Sequence, residues 1–312
     1  MAIVFLFPGQ GSQQPNMLHD LPPHPAVEKT LEEASEVLKE DILRWDSQEA
    51  LRSTVAVQVS LFVAGVAVAR VLEEEGVSPN MVAGHSVGAF GAAVTAQSLT
   101  FREAVSLVKL RGELMEKAYP NDYGMGVIVG MEERQLNRLV SNCFTDEDPI
   151  YITNRNAPRQ MTISGSVRGI EKVLALAREE GASKAEFLHV RVPSHCVLMK
   201  PISEKLRREM ETIPFQSPKI PYIANRTARP LRDGESIRED LAFGVAHPVR
   251  WYESICVLAE LGAQLFIEMP PKSVLTNLAQ QVFPCRRSLS IADSGLRTAC
   301  IVAQRIKENR GR

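Results

Sequence analysis

Five consecutive residues, Gly84-His85-Ser86-Val87-Gly88, carry the pattern G-x-S-x-G, the sharp strand-to-helix turn on which a serine is presented as a nucleophile. The glycines have a physical purpose. The serine's backbone is strained at such a turn, and side chains at the flanking positions would block its close packing. Ser86 would then stand at the amino end of a helix, where N–H groups and the helix dipole favour developing negative charge. The surroundings suit the motif: Met81-Val82-Ala83-Gly84 reads as a short buried strand, and Ala89 to Gln97 as an Ala-rich helix. A serine nucleophile needs a base, and the chain offers His19, His24, His85, His189, His195 and His247. His85 adjoins Ser86, and neighbours at a sharp turn point apart, which makes it a packing residue. His195 lies in Val192-Pro193-Ser194-His195-Cys196, a proline-fixed loop between strand and helix and a usual place for a catalytic side chain. A structural histidine with satisfied hydrogen bonds fits the same loop equally well.

A second turn, Phe7-Pro8-Gly9-Gln10-Gly11-Ser12-Gln13, follows the strand-like run Ile3–Phe7. No Gly-Lys-Ser/Thr follows it, so it is not a phosphate-binding P-loop. Its other use is to bring the backbone N–H of Gln10 to Ser86, completing an oxyanion hole with the N–H of Val87. One such donor is worth about a hundred- to a thousand-fold in rate. Arg111 follows the apolar helical positions Ala104, Val105, Leu107, Val108 and Leu110, which fits partial burial. An arginine that snorkels to the surface is the commoner case. Arg250, in His247-Pro248-Val249-Arg250-Trp251, has the same two readings. A buried arginine would hold a carboxylate by a bidentate, charge-assisted pair that lysine cannot copy. No histidine or cysteine pair has metal-ligand spacing on a helix, so neither a metal site nor a bound cofactor is expected.

These residues must be positioned by an ordinary globular chain. It has 312 residues, 45% hydrophobic and 23% charged, with a formal net charge of −1, so no overall field favours nucleic acid or an anionic membrane. Five scattered cysteines without a CxxC pair fit a reducing cytosol. No signal-peptide pattern precedes the first strand. The longest apolar stretch, Val55 to Val71, is interrupted by Gln58, Ser60 and Arg70 and predicts a buried helix rather than a bilayer span. Strands alternating with helices predict an α/β fold with a parallel sheet covered on both faces. Between Tyr123 and Val190 the order changes to β-α-β-β-α-β, the ferredoxin-like split arrangement. The expected organisation is an α/β core formed by 1–122 and 191–312, with an inserted ferredoxin-like α+β subdomain at 123–190. The later elements expected are a helix Met199–Met210, strand Pro221–Asn225, helix Trp251–Leu261, strand Leu265–Glu268 and helix Lys272–Gln281.

Taken in order, Phe7–Gln13 (FPGQGSQ), Gly84–Gly88 (GHSVG), Arg111-Gly112, Val192–Cys196 (VPSHC), Pro248–Trp251 (PVRW) and Glu268–Leu275 (EMPPKSVL) resemble the malonyl-CoA:acyl-carrier-protein transacylase family over nearly the whole chain. The resemblance implies a hydrolase-like α/β core with a ferredoxin-like subdomain. It implies Ser86 as nucleophile, His195 as base, Gln10 and Val87 as backbone oxyanion donors, and Arg111 as clamp for the malonyl carboxylate. The third triad member in this family is usually a backbone carbonyl. The partners implied are malonyl-CoA, a coenzyme A thioester used as substrate, and a small acyl carrier protein with a phosphopantetheine-type arm. Two departures stand out: Ala89 occupies a place where the family commonly has an acidic residue, and Arg250 one where the bacterial fatty-acid enzymes commonly have glutamine, which puts a further candidate substrate-binding cation near the pocket. Met17–Pro22 (MLHDLP), Ser53–Arg70, Arg111–Gly126 and Glu268–Pro271 (EMPP) are most similar to the epsilon (transacylase) subunits of malonate decarboxylases, which implies other decarboxylase subunits as partners. The alternatives are the transacylase of fatty-acid synthesis, a serine thioesterase or hydrolase, and a non-catalytic docking subunit. Arg207-Arg208 and Arg286-Arg287 are candidate docking cations for an acidic carrier.

Overall fold

The computed structural model describes residues 2–119 and 121–308. The chain opens with strand β1 (Ala2–Phe7), helices α1 (Pro25–Leu38) and α2 (Thr54–Glu74), strand β2 (Met81–Gly84) and helices α3 (Gly88–Thr95) and α4 (Phe101–Ala118). Next come β3 (Tyr123–Val129), α5 (Glu133–Cys143), β4 (Ile150–Ala157), β5 (Gln160–Ser166), α6 (Val167–Glu179) and β6 (Lys184–Phe187). The remainder is α7 (Lys200–Met210), β7 (Tyr222–Ile223), β8 (Pro230–Leu231), α8 (Gly234–Phe243), α9 (Trp251–Glu260), β9 (Ala263–Glu268), α10 (Val274–Val282), β10 (Arg287–Ser290) and α11 (Ile291–Glu308), the last broken at Gly295.

Two sheets result. The larger has the order β10-β9-β1-β2-β7-β8, parallel except for β8. Its central strand explains its layers. Ile3, Phe5 and Phe7 of β1 pack into one apolar cluster with α2, α3 and α4, while Val4 and Leu6 enter another with α9 and α10. A strand buried on both faces needs a continuous apolar run, and Ile3–Phe7 supplies one. Helix α2 is long and apolar enough to cross a membrane, yet nearly all of it is buried inside the protein, as expected for Val55 to Val71.

The smaller sheet has the order β4-β5-β3-β6, antiparallel throughout, with α5 and α6 on its own apolar cluster. Starting from β3, this is the split β-α-β arrangement read from the sequence. β6 ends at Phe187 rather than Val190, because its partner residues on β3 run only from Gly126 to Val129. β7 is two residues long rather than five, since the chain turns back at once into β8. The elements not anticipated are β8, α8, β10 and α11. A two-residue strand beginning at proline and a helix rich in Glu, Arg and Asp leave little apolar periodicity to read.

The fold also places the two candidate cation pairs. Arg287 opens β10 and pairs with Leu265, whereas Ser86 follows the far end of β2, where Phe7 pairs with Gly84. Arg286-Arg287 thus lies at the edge of the sheet opposite the carboxyl ends of its strands. Arg207 of α7 is engaged with Glu204 and Glu211.

Candidate active site

Ser86 sits between β2 and α3 with φ of +55°, a left-handed backbone that a non-glycine residue adopts only where packing enforces it. The enforcement is visible at Gly88, where a Cβ would stand 2.1 Å from the carbonyl oxygen of Phe7. The turn after β1 packs equally close: a Cβ on Gly9 would stand 2.5 Å from the His85 carbonyl oxygen. The backbone N–H groups of Val87 and Gln10 meet no acceptor among the described residues. Asn225, after β7, clamps the turn from the other side. Its Oδ1 accepts from Ser86 N (2.9 Å) and its Nδ2 donates to Gly84 O (2.7 Å).

His195 reaches Ser86 across the cleft, with Nε2 2.8 Å from the serine Oγ. Its Nδ1 lies 2.8 Å from the carbonyl oxygen of Gly244, which accepts only if Nδ1 carries the proton. That assigns the tautomer: Nε2 is left with a free lone pair facing the serine hydroxyl. The residue is 3% exposed, its backbone has φ of +64°, and its backbone N–H donates to Val245 O at 2.7 Å. Burial, and then the positive charge of Arg111, lower its pKa to about 3, so at neutral pH it is an unprotonated base. His85, adjacent to the serine, turns instead toward Asn156 (3.1 Å) and the edge of Trp251, and burial lowers its pKa to about 4.

Arg111 is 2% exposed and completes the array. Its Nη2 donates to Ser86 Oγ at 3.0 Å and its Nη1 to Gln58 Oε1 at 2.5 Å, both neutral groups. No acidic side chain pairs with it among the described residues, and burial lowers its pKa to about 9. A desolvated cation with neutral partners is chemically able to pair with a carboxylate. Ser86, Ala89, Phe90, Arg111, His195, Asn225 and Asp240 enclose a space of about 10 Å³, room for one water molecule. Arg250 lies apart. Its backbone N–H donates to Asn225 O, but its side chain is 45% exposed and bonds Glu253 at 3.1 Å, an i,i+3 pair at the start of α9. It is not among the residues around that space.

The structure thus brings Ser86, His195 and Arg111 together and leaves Arg250 at the surface. Gln58, Asn225, Gly244 and Asp240 were not read from the sequence as site residues. Gln58 alone left a signal, a lone amide in an otherwise apolar helix; the other three act through the fold. Among the described residues no cluster of three His, Cys, Asp or Glu is placed to hold a metal ion. Chemically, a serine bonded to a neutral histidine, with two free backbone N–H groups on adjoining turns, is equipped for acyl transfer.

Comparison with known proteins agrees. A model of the acyl transferase domain matches residues 4–311. The malonyl CoA-acyl carrier protein transacylase of Bacillus subtilis (strain 168) is 36% identical over 312 residues, covering 98% of both chains. That of Escherichia coli (strain K12) is 36% identical over 284 residues, 89% of this chain and 92% of its own. The crystal structure of FabD from Acinetobacter baumannii superposes with a TM-score of 0.93 at 34% identity, covering 98% of this chain and all (100%) of its own. A malonyl-transacylase solved in complex with a type II PKS acyl-carrier protein gives 0.91 at 35% identity, over 98% of this chain and 100% of that one. The chain belongs to the acyl transferase domain family, with malonyl CoA-acyl carrier protein transacylases as relatives over nearly its full length, and is an acyltransferase.

Proposed function

We propose that the protein transfers malonyl from coenzyme A to the thiol of an acyl carrier protein through a malonyl-Ser86 intermediate. The observation that carries this is Arg111, a buried guanidinium bonded only to neutral groups, 3.0 Å from the serine oxygen that would bear the acyl chain. In the first half-reaction His195 Nε2 takes the Ser86 proton as Oγ attacks the thioester carbon. The carbonyl oxygen gains the negative charge and is held by the N–H groups of Gln10 and Val87. The C–S bond breaks and the coenzyme A sulfur leaves with the proton from His195. The carrier thiol then gives its proton to His195 and attacks the acyl-serine; the C–O bond breaks and Ser86 recovers its proton. Gly244 O steadies the imidazolium formed in each half, the role a carboxylate has in other triads.

Arg111 selects the substrate. A malonyl group supplies the anion, whereas an acetyl group leaves the cation desolvated and unpaired, a difference of about 2–3 kcal/mol in binding the transition state. A serine hydrolase has no need of a buried carboxylate-binding arginine beside its nucleophile, and Arg111 argues against that reading. The intact Ser86, His195 and Arg111 set argues against a docking subunit without activity.

For the acceptor, the relatives' names support an acyl carrier protein such as that of fatty-acid synthesis better than the malonate decarboxylase carrier inferred from the MLHDLP and EMPP segments. The five cysteines, all unpaired, suit the reducing cytosol in which such a transfer would take place. A transfer assay tests this reading. Malonyl-CoA is mixed with a fatty-acid-type carrier bearing a phosphopantetheine arm, and separately with a malonate decarboxylase carrier. Faster malonylation of the first supports it, faster malonylation of the second restores the decarboxylase role, and release of free malonate without carrier loading overturns transfer altogether.

A further inference from the structure

Asp240 is 3% exposed, borders the space around Ser86, and has no part in the steps above. Its carboxylate collects donors from one short stretch of chain. Oδ2 accepts from Asn225 N (3.1 Å) and the Tyr222 hydroxyl (2.9 Å), and Oδ1 accepts from Arg226 N (3.2 Å). Arg226 Nε stands 3.6 Å from Oδ1 and supplies the compensating charge. A buried carboxylate is costly unless so compensated, and a neutral side chain would have filled the same space at less cost.

What the carboxylate joins is informative. Asn225 is the residue whose amide bridges Ser86 N and Gly84 O, so its position sets the nucleophile's turn. Asp240 itself belongs to α8, and Gly244, one turn further along, carries the carbonyl that holds His195 Nδ1. One side chain therefore ties the support of the serine to the support of its base. We infer that Asp240 is a positioning residue that fixes the 2.8 Å separation of Ser86 Oγ and His195 Nε2 by locking the 225–226 loop to α8. It touches neither reacting atom. Its loss lets the two supports drift apart, and a misplacement of about 1 Å between reacting groups costs on the order of a hundredfold in rate.

The inference rests on the Ser86–His195 reading but not on malonyl as the acyl group, and the test separates the two. Wild type, Asp240→Asn, Asp240→Ala and Tyr222→Phe are compared for single-turnover acylation by malonyl-CoA and for covalent labelling of Ser86 by a fluorophosphonate. Rates are normalised to folded protein, measured by the native melting transition. Asparagine can still accept from Tyr222 and Asn225 but sets its own N–H against that of Arg226. The expected order is wild type, then Tyr222→Phe (a few-fold slower), Asp240→Asn (about tenfold) and Asp240→Ala (about a hundredfold). Both reactions slow together, with KM for malonyl-CoA changed less than twofold. If Asp240→Ala is too unstable to purify, the other two variants carry the comparison. Folded variants with lower melting temperatures but wild-type rates would overturn the inference, leaving Asp240 a stability residue only. A rise in KM with unchanged maximal rate would overturn it as well. Should wild type be labelled by the fluorophosphonate yet take no malonyl group, the substrate assignment fails while the labelling series still decides the role of Asp240.

Discussion

His195 has its proton on Nδ1 because Gly244 O accepts there, and burial with the neighbouring Arg111 charge keeps Nε2 unprotonated down to about pH 3. Arg111 keeps its own proton up to about pH 9. The rate of serine acylation at low malonyl-CoA is therefore expected to show no acid limb near 6.5, the ordinary histidine value, and to fall on the alkaline side toward pH 9. Stopped-flow acylation between pH 5 and 10 measures this; a limb centred on 6.5 would mean the imidazole is more solvated than its surroundings show. Arg111→Lys tests the clamp. An ammonium cannot reproduce the two-pronged grip on Gln58 and a carboxylate, so malonyl transfer should fall roughly a hundredfold, the scale of one lost charge-assisted contact. Acetyl transfer should fall much less. Equal losses for both acyl groups would place Arg111 outside acyl selection.

At the scale of the element, the strand–turn–helix around Ser86 depends on backbone-to-backbone contact between β1 and α3. Gly88→Ala would drive a Cβ to 2.1 Å from Phe7 O, a collision with backbone that no rotamer relieves. Labelling of Ser86 by a fluorophosphonate should be lost together with several degrees of melting temperature; retention of both would show that the turn can shift. Glu268 has a comparable role at the end of β9. Buried, it accepts from the N–H groups of Leu275 and Thr276 and so caps α10, and desolvation raises its pKa to about 7. With a folded value above the unfolded one, its contribution is complete below about pH 4.5 and is lost as pH rises to about 7, up to about 3 kcal/mol. Glu268→Gln should flatten the pH dependence of the melting temperature in that window; an unchanged slope would assign it to other groups. Elements with strong local patterns were legible in the sequence, among them the buried run of β1, the apolar α2, and the β-α-β-β-α-β series from β3 to β6. Those defined by their partners were not. β10 is a strand because β9 offers an edge to pair with, and nothing in Arg287–Ser290 alone announces it.

Across the whole molecule, the half-buried His85 and the buried His195 are both neutral, with folded pKa values of about 4 and about 3. Groups depressed in this way favour unfolding as pH falls below 6.5, by about 2 kcal/mol each at pH 5. Glu268, Glu73 and Asp240, whose pKa values burial raises, oppose them over part of the range, while the loss from the two histidines is concentrated between pH 6.5 and 5. Melting temperature should fall between pH 7 and pH 5, and His195→Gln should reduce the fall; an identical fall would show that His195 is protonated in the folded state. The whole-molecule scale is also where sequence reading stopped. Ser86, His195 and Arg111 were each visible within a local motif, and their meeting was implied by the family resemblance. Asn225 is 139 positions from the serine it clamps, and Gly244 contributes only a carbonyl oxygen, which any residue has. The exposed side chain of Arg250 pairs with Glu253, a contact not read from the HPVRW segment.

The central claim is a malonyl group carried on Ser86 and selected by Arg111. Intact-protein mass after brief mixing with malonyl-CoA, beside acetyl-CoA, tests it in wild type and Ser86→Ala. One malonyl group on wild type, little acetyl, and no adduct on Ser86→Ala is the predicted result. An adduct that persists in Ser86→Ala, or equal loading by acetyl and malonyl, would contradict it.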